Sequence, residues 1–267
     1  MTSIDDSPVP DFPGRLRLDG RRFVLIGAGQ GIGRQAAHAL TAVGARVFCI
    51  DVEPKLADEI AQEVGGVAGS GDATDRTDAE RLFTEAQSAF GGLDGVVDIV
   101  GMAHYADLVD LTDDEWNWHF DICLRHAFLA MQLGGRALAA AGGGAMVFVA
   151  SVSGITSAPR HSAYGAAKAG LMSLVRSAAV ELGPSNVRVN AVAPGVVWTP
   201  RVSGLLGDEG RERNERNAPL RRVAYPADIA SALLFLASDL AACVSGQTLV
   251  VDCGVGAKFP YPMADNL

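Results

Sequence analysis

Arg22-Phe-Val-Leu-Ile-Gly-Ala-Gly-Gln-Gly-Ile-Gly33 is five residues of strand followed by a glycine turn and the start of a helix. Arg22 to Ile26 is an apolar run with no alternation, as expected of a strand covered on both faces. Glycine in the turn lets the backbone reverse sharply and lets an anion approach the amides, and the helix N-terminus behind it favours a pyrophosphate. Strand, turn and helix in this order read as a dinucleotide site made of Gly27, Gln30, Gly31, Ile32 and Gly33.

The alternation continues along the chain. Arg46–Ile50 is a second strand, 54–64 a helix, a short strand ends near Asp72, and a helix covers 77–90. Strands follow at 95–100, 145–150, 187–192 and 248–252, with helices at 112–141, 162–182 and 226–237. Thr112-Asp-Asp-Glu115 fits a capping box for the long helix. Such alternation predicts an α/β fold, a Rossmann-like doubly wound parallel sheet with helices on both faces. Residues 1–20 hold five prolines and glycines without periodicity and are expected to form a flexible arm. Residues 21–267 show no linker and are expected to form one domain, in which the stretch 196–225 is polar, irregular and partly helical.

Composition excludes several classes. Net charge is −9 without a Lys/Arg block, which argues against nucleic acid or an anionic membrane as partner. Cys49, Cys123, Cys243 and Cys253 have no C-x-x-C spacing and read as reduced thiols of an intracellular, cytoplasmic protein rather than a disulfide frame or metal site. The acidic start has no apolar signal core, and no run reaches the roughly 20 residues that span a bilayer.

Asp51 closes the second strand and is placed to bind the ribose hydroxyls of NAD while repelling a 2′-phosphate. Asp72, with Ala73 beside it, is either an adenine contact or a turn-forming acid. Tyr164 and Lys168 are four residues apart on one helix face, so phenol and ammonium converge. With Ser151 upstream, the three describe a device for moving a proton to or from a carbonyl or alcohol oxygen, and a cation beside the phenol is expected to lower its pKa.

Gly27-x-x-x-Gly31-x-Gly33, Ser151, Tyr164-x-x-x-Lys168, Asn190 and Pro194-Gly195-x-x-x-Thr199 together resemble the short-chain dehydrogenase/reductase family over about residues 20–256. The resemblance implies strand order 3-2-1-4-5-6-7, Tyr164 as general acid/base, Ser151 as holder of the substrate oxygen and Lys168 on the nicotinamide ribose. It implies that Pro194, Gly195, Val197 and Thr199 hold the nicotinamide, that about 196–225 is a mobile lid, and that the protein is a homotetramer. The chain departs from the family pattern in three places. Ile26 replaces the usual Thr, Asp98-Ile-Val-Gly101 replaces Asn-Asn-Ala-Gly, and Cys123, in Ile122-Cys-Leu-Arg-His126, aligns with the Asn of Asn-Leu-x-Gly. That Asn helps to hold a proton-relay water, and the backbone carbonyl of residue 123 is expected to serve instead. His119 and His126 read as structural or surface groups. The substrate pocket is expected to draw on His104, Ser153, His161 and Trp198 among mostly apolar neighbours, which suits a hydrophobic ring alcohol or ketone. Two other readings stay open: a 3-oxoacyl-carrier-protein reductase, and a catalytically silent NAD-binding sensor.

Overall fold

The computed structural model describes residues 7–258. Seven parallel strands form one sheet in the order β3-β2-β1-β4-β5-β6-β7. They are β1 (Arg22–Ile26), β2 (Arg46–Asp51), β3 (Val67–Ser70), β4 (Gly95–Asp98), β5 (Gly144–Val149), β6 (Val187–Pro194) and β7 (Thr248–Val251). The helices are α1 (Ile32–Ala42), α2 (Pro54–Val64), α3 (Arg76–Phe90), α4 (Asp113–Phe120), α5 (His126–Ala140), α6 (Ser162–Leu182), α7 (Pro200–Asn217) and α8 (Pro226–Ala237).

The period of two along the strands sorts the core into two layers. Val24, Ile26, Phe48, Ile50, Met146 and Phe148 face α3, α5 and α6. Phe23, Leu25, Val47, Cys49 and Val147 face α1, α2 and α8. Burial of each large apolar side chain stabilises the fold by about 2 kcal/mol, so the sheet is held from both sides. Local signals end the helices where the chain must turn. Gly65 and Gly91 adopt left-handed conformations after α2 and α3, and Asp75 caps α3 by accepting the Asp78 N–H.

Three expectations change. The helix expected over 112–141 is divided by a π-turn at Asp121–Arg125; its i→i+5 pattern leaves a carbonyl without its usual helical partner. Residues 196–225, expected to be irregular and partly helical, carry the 18-residue α7, which Thr199 caps through a bond from the Val202 N–H and which kinks at Gly207 (φ 59°). The arm is not loose over 14–20. Leu18 is fully buried, and Leu18 and Gly20 donate backbone bonds to Val43 and Gly44. Residues 1–6 lie outside the described residues.

The strand order reverses between β1 and β4, which opens a crevice at the carboxyl ends of the strands. Gly27, Asp51, the turn 98–101, Ser151 and Pro194-Gly195 all lie at those ends. Among the described residues no helix is long and apolar enough to cross a membrane.

Candidate active site

The glycine turn leaves no room for side chains. A Cβ on Gly33 would lie 1.9 Å from the Gly27 carbonyl oxygen, and one on Gly29 would lie 2.7 Å from Asp51 Oδ2. Gly27 and Gly31 take positive φ (82° and 57°), which only glycine does freely. Gly31 faces Thr199 across the crevice, where a Cβ would lie 3.4 Å from the Thr199 methyl. Gln30 is exposed and Ile32 half-buried at the start of α1. A backbone cradle at a helix N-terminus, open to the crevice, fits a dinucleotide pyrophosphate. Asp51 is tied to this cradle: Oδ2 accepts the Gly29 N–H at 2.9 Å and Oδ1 the Glu53 N–H at 3.1 Å. Asp72 Oδ1 accepts both the N–H and the hydroxyl of Thr74 (2.8 and 2.7 Å), so this acid also builds its turn. Ala73 packs on the core layer beside α3.

Ser151 follows β5; its Oγ accepts the Ser153 N–H at 3.1 Å, and its hydroxyl is in hydrogen-bond reach of the Tyr164 phenol. On α6, the Lys168 ammonium lies 6.0 Å from the centre of the Tyr164 ring. Lys168 is 1% exposed and donates to the Val149 carbonyl at 2.8 Å and the Val100 carbonyl at 3.3 Å. A Cβ on Gly101 would lie 2.6 Å from Lys168 Nζ, so glycine there makes room for the ammonium. Burial holds the Lys168 pKa below its ordinary value. The expected lowering of the Tyr164 pKa is corrected. Burial pushes the phenol well above its ordinary value, Cys123 and Tyr105 add to the rise, and the hydrogen bond with Ser151 works against it. Desolvation of the phenolate is the largest of these causes.

Cys123 is buried and its thiol donates to the Met102 carbonyl at 3.1 Å. Burial raises its pKa. His119 is buried, with Nδ1 bonded to the Glu115 carbonyl at 2.7 Å and Nε2 accepting the His104 N–H at 3.0 Å. Both ring nitrogens are engaged, which makes His119 a structural group. His104 stacks on Trp118 at 4.0 Å, toward α4. Tyr105 instead comes toward Tyr164: its ring stacks on His161 at 5.0 Å, and His161 meets Tyr164 edge-on at 5.7 Å. His161 Nδ1 bonds Ser153 Oγ at 2.9 Å, and burial lowers the imidazole pKa, which favours a neutral ring.

Asn190 is fully buried, donates to the Val244 carbonyl and accepts the Gln247 N–H, so it fastens β6 to the chain before β7. A Cβ on Gly195 would lie 2.8 Å from Asp252 Cβ, which brings Pro194-Gly195 tightly against the end of β7. Val197 bridges Ala224. Trp198 lies under the Arg211 guanidinium at 5.4 Å, which ties α7 to the far wall of the cleft.

Sequence reasoning missed one contact altogether. His126 is not a surface histidine: its Nδ1 bonds Asp98 Oδ2 at 2.7 Å, and the two side chains are 1% and 0% exposed. The signal was present, since an acid inside the apolar run Gly95-Val-Val-Asp-Ile-Val100 demands a partner. Breaking such a buried pair from one side costs about 3–5 kcal/mol.

The arrangement has known counterparts. A family model described as enoyl-(acyl carrier protein) reductase matches residues 27–256. The D-threitol dehydrogenase of Mycolicibacterium smegmatis is 35% identical, over 91% of this chain and 95% of that protein. The cis-4-hydroxycyclohexanecarboxylate dehydrogenase of Sinomonas cyclohexanicum is 39% identical, over 89% and 97%. Among solved structures, a 7α-hydroxysteroid dehydrogenase complexed with NADH and 7-oxo glycochenodeoxycholic acid superposes with a TM-score of 0.86. It is 31% identical, and the match covers 91% of this chain and 96% of that one.

Proposed function

The chain belongs to the short-chain dehydrogenase/reductase family of nicotinamide-dependent oxidoreductases, and from that premise we propose that it moves a hydride between NAD and a secondary alcohol or ketone on a hydrophobic ring. The observation that carries this reading is the convergence of Ser151, Tyr164 and Lys168 at the edge of the crevice, with Val100 between the lysine and the glycine turn. When bound, the nicotinamide supplies the hydride acceptor or donor. Tyr164 Oη takes the alcohol proton on oxidation and returns it on reduction. Ser151 holds the substrate oxygen by turning its hydroxyl from the Tyr164 phenol to the substrate. Lys168, held by two carbonyls, turns its remaining donor capacity toward the ribose of the nicotinamide. Asp51 takes the adenosine ribose. Pro194, Gly195, Val197 and Thr199 hold the carboxamide end, and α7 covers the substrate.

Support for a ring substrate comes from the wall beside Tyr164. Tyr105 and a His161 kept neutral by burial present flat, weakly polar surfaces, and both the cyclohexanecarboxylate and the hydroxysteroid dehydrogenases act on rings. The description of the matching family model favours a second reading, reduction of acyl chains on a carrier protein. Against it, a net charge of −9 repels an acidic carrier. A homotetramer joined through α4–α6 belongs to the same proposal, since Trp116, Phe128 and Val180 are exposed apolar residues on those helices.

The test is NADH absorbance with NAD and a panel of cyclic secondary alcohols, steroid alcohols and linear polyols. We expect the ring alcohols to give the highest kcat/KM. A preference for polyols would sink the ring assignment, and NAD binding without any turnover would favour the sensor.

Cys123 provides an independent check on the proton relay. A π-turn spans Cys123, and the relay is proposed to use the backbone carbonyl of residue 123, which any residue there supplies. Cys123→Asn is therefore expected to change turnover by less than about tenfold, or 1.4 kcal/mol. A much larger gain, measured in steady-state assays, would mean that the side chain and not the backbone carries the relay.

A further inference from the structure

Asp98 ends β4 and His126 opens α5, so the pair joins the central strand to the helix packed on it. The carboxylate serves both sides. Oδ2 takes the His126 Nδ1 at 2.7 Å, and Oδ1 accepts the Val100 N–H at 3.1 Å. Val100 is the hinge of the site. Its carbonyl accepts from Lys168 Nζ at 3.3 Å, and its side chain lies 3.2 Å from where a Cβ on Gly27 would stand. The other imidazole nitrogen, Nε2, is buried and has no hydrogen-bond partner among the described residues. His126 lines a small apolar cavity together with Ile50, Ala73 and Leu82, among others. The ring therefore makes one directed bond, and that bond is to Asp98.

We propose that the Asp98–His126 pair is a positioning device for the cofactor cleft. It fixes the 98–101 turn, and through Val100 it sets the Lys168 ammonium and the floor of the glycine turn. Neither residue touches the reacting atoms. Both stand where the family pattern has other residues, and the two departures meet in one contact. The inference rests on the reading of the crevice as an NAD site with Lys168 at the ribose.

Three variants separate positioning from plain packing. His126→Asn places an amide nitrogen near the position of Nδ1. His126→Gln places it nearer that of Nε2, and His126→Leu supplies no donor. The readouts are NADH affinity by fluorescence, melting temperature, and the split of NAD KM from kcat. We expect His126→Leu to weaken NADH binding by about tenfold or more, His126→Asn to restore it to within about threefold of wild type, and His126→Gln to fail to do so. Should the leucine variant not fold, the asparagine and glutamine variants decide the matter between them. NADH affinity in the leucine variant within about twofold of wild type, with only a lower melting temperature, would reduce the pair to packing. Equal rescue by glutamine would also overturn the proposal. Wild-type protein that binds no NADH would overturn the cofactor reading itself, and this inference with it.

Discussion

Tyr164→Phe is expected to lower turnover by about 10²- to 10⁴-fold, the contribution of a general acid/base, while NADH binding and the fold persist. The phenyl ring keeps its edge contact with His161 and its place beside Lys168. What it loses is the one oxygen bonded to Ser151 that can exchange the alcohol proton. A pH profile gives the sign. Oxidation needs the phenolate, and burial favours the neutral phenol, so oxidation rises with pH and reduction falls. A bound oxidised nicotinamide carries a positive charge that favours the phenolate, so it moves this limb toward lower pH. Lys168 has the opposite dependence. Its pKa is held below the ordinary value, so the ammonium is lost early on the alkaline side and oxidation turns down again. Measured kcat for the variant close to wild type, or a wild-type profile with no rising limb, would remove Tyr164 from the role.

A preference for NAD over NADP of about 100-fold in kcat/KM is the second expected result, since hydrogen bonds to a charged group contribute about 1.5–3 kcal/mol and the same charge repels a 2′-phosphate. Asp51 lies at the end of β2 with both oxygens already anchored by backbone N–H groups, so it is held in place rather than free to swing away. Two arginines near this edge do not offset it. Arg46 is at the opposite end of β2 with its guanidinium over Phe90 at 4.5 Å, and Arg34 is paired with Glu63 at 2.8 Å. Asp51→Asn keeps an acceptor for one anchoring N–H but removes the charge, so it is expected to narrow the preference to about tenfold or less. Competition kinetics with the two cofactors measures this directly. A wild-type enzyme that favours NADP would assign Asp51 to the turn alone.

Much of the fold was readable because its causes are local. Apolar runs such as Arg22–Ile26 and Gly144–Val149 are strands because both of their faces are covered. The glycine turn was legible because steric exclusion of a Cβ acts within a few residues, as between Gly33 and Gly27. Tyr164 and Lys168 fall on one face through helical periodicity alone, whatever lies around them. These features the chain determines by itself. The rest required the tertiary structure. Asp98 and His126 are 28 residues apart, and no spacing rule joins a strand end to a helix start; the crossover packing of α5 on β4 brings them together. Tyr105, 56 residues from His161 by 161 − 105, reaches it only because the loop after β4 folds over the start of α6. The direction of the Tyr164 pKa was misjudged for the same reason. Sequence displays the neighbouring cation, but the desolvation that raises the phenol depends on how completely the assembled walls exclude water, and that enclosure exists only in three dimensions.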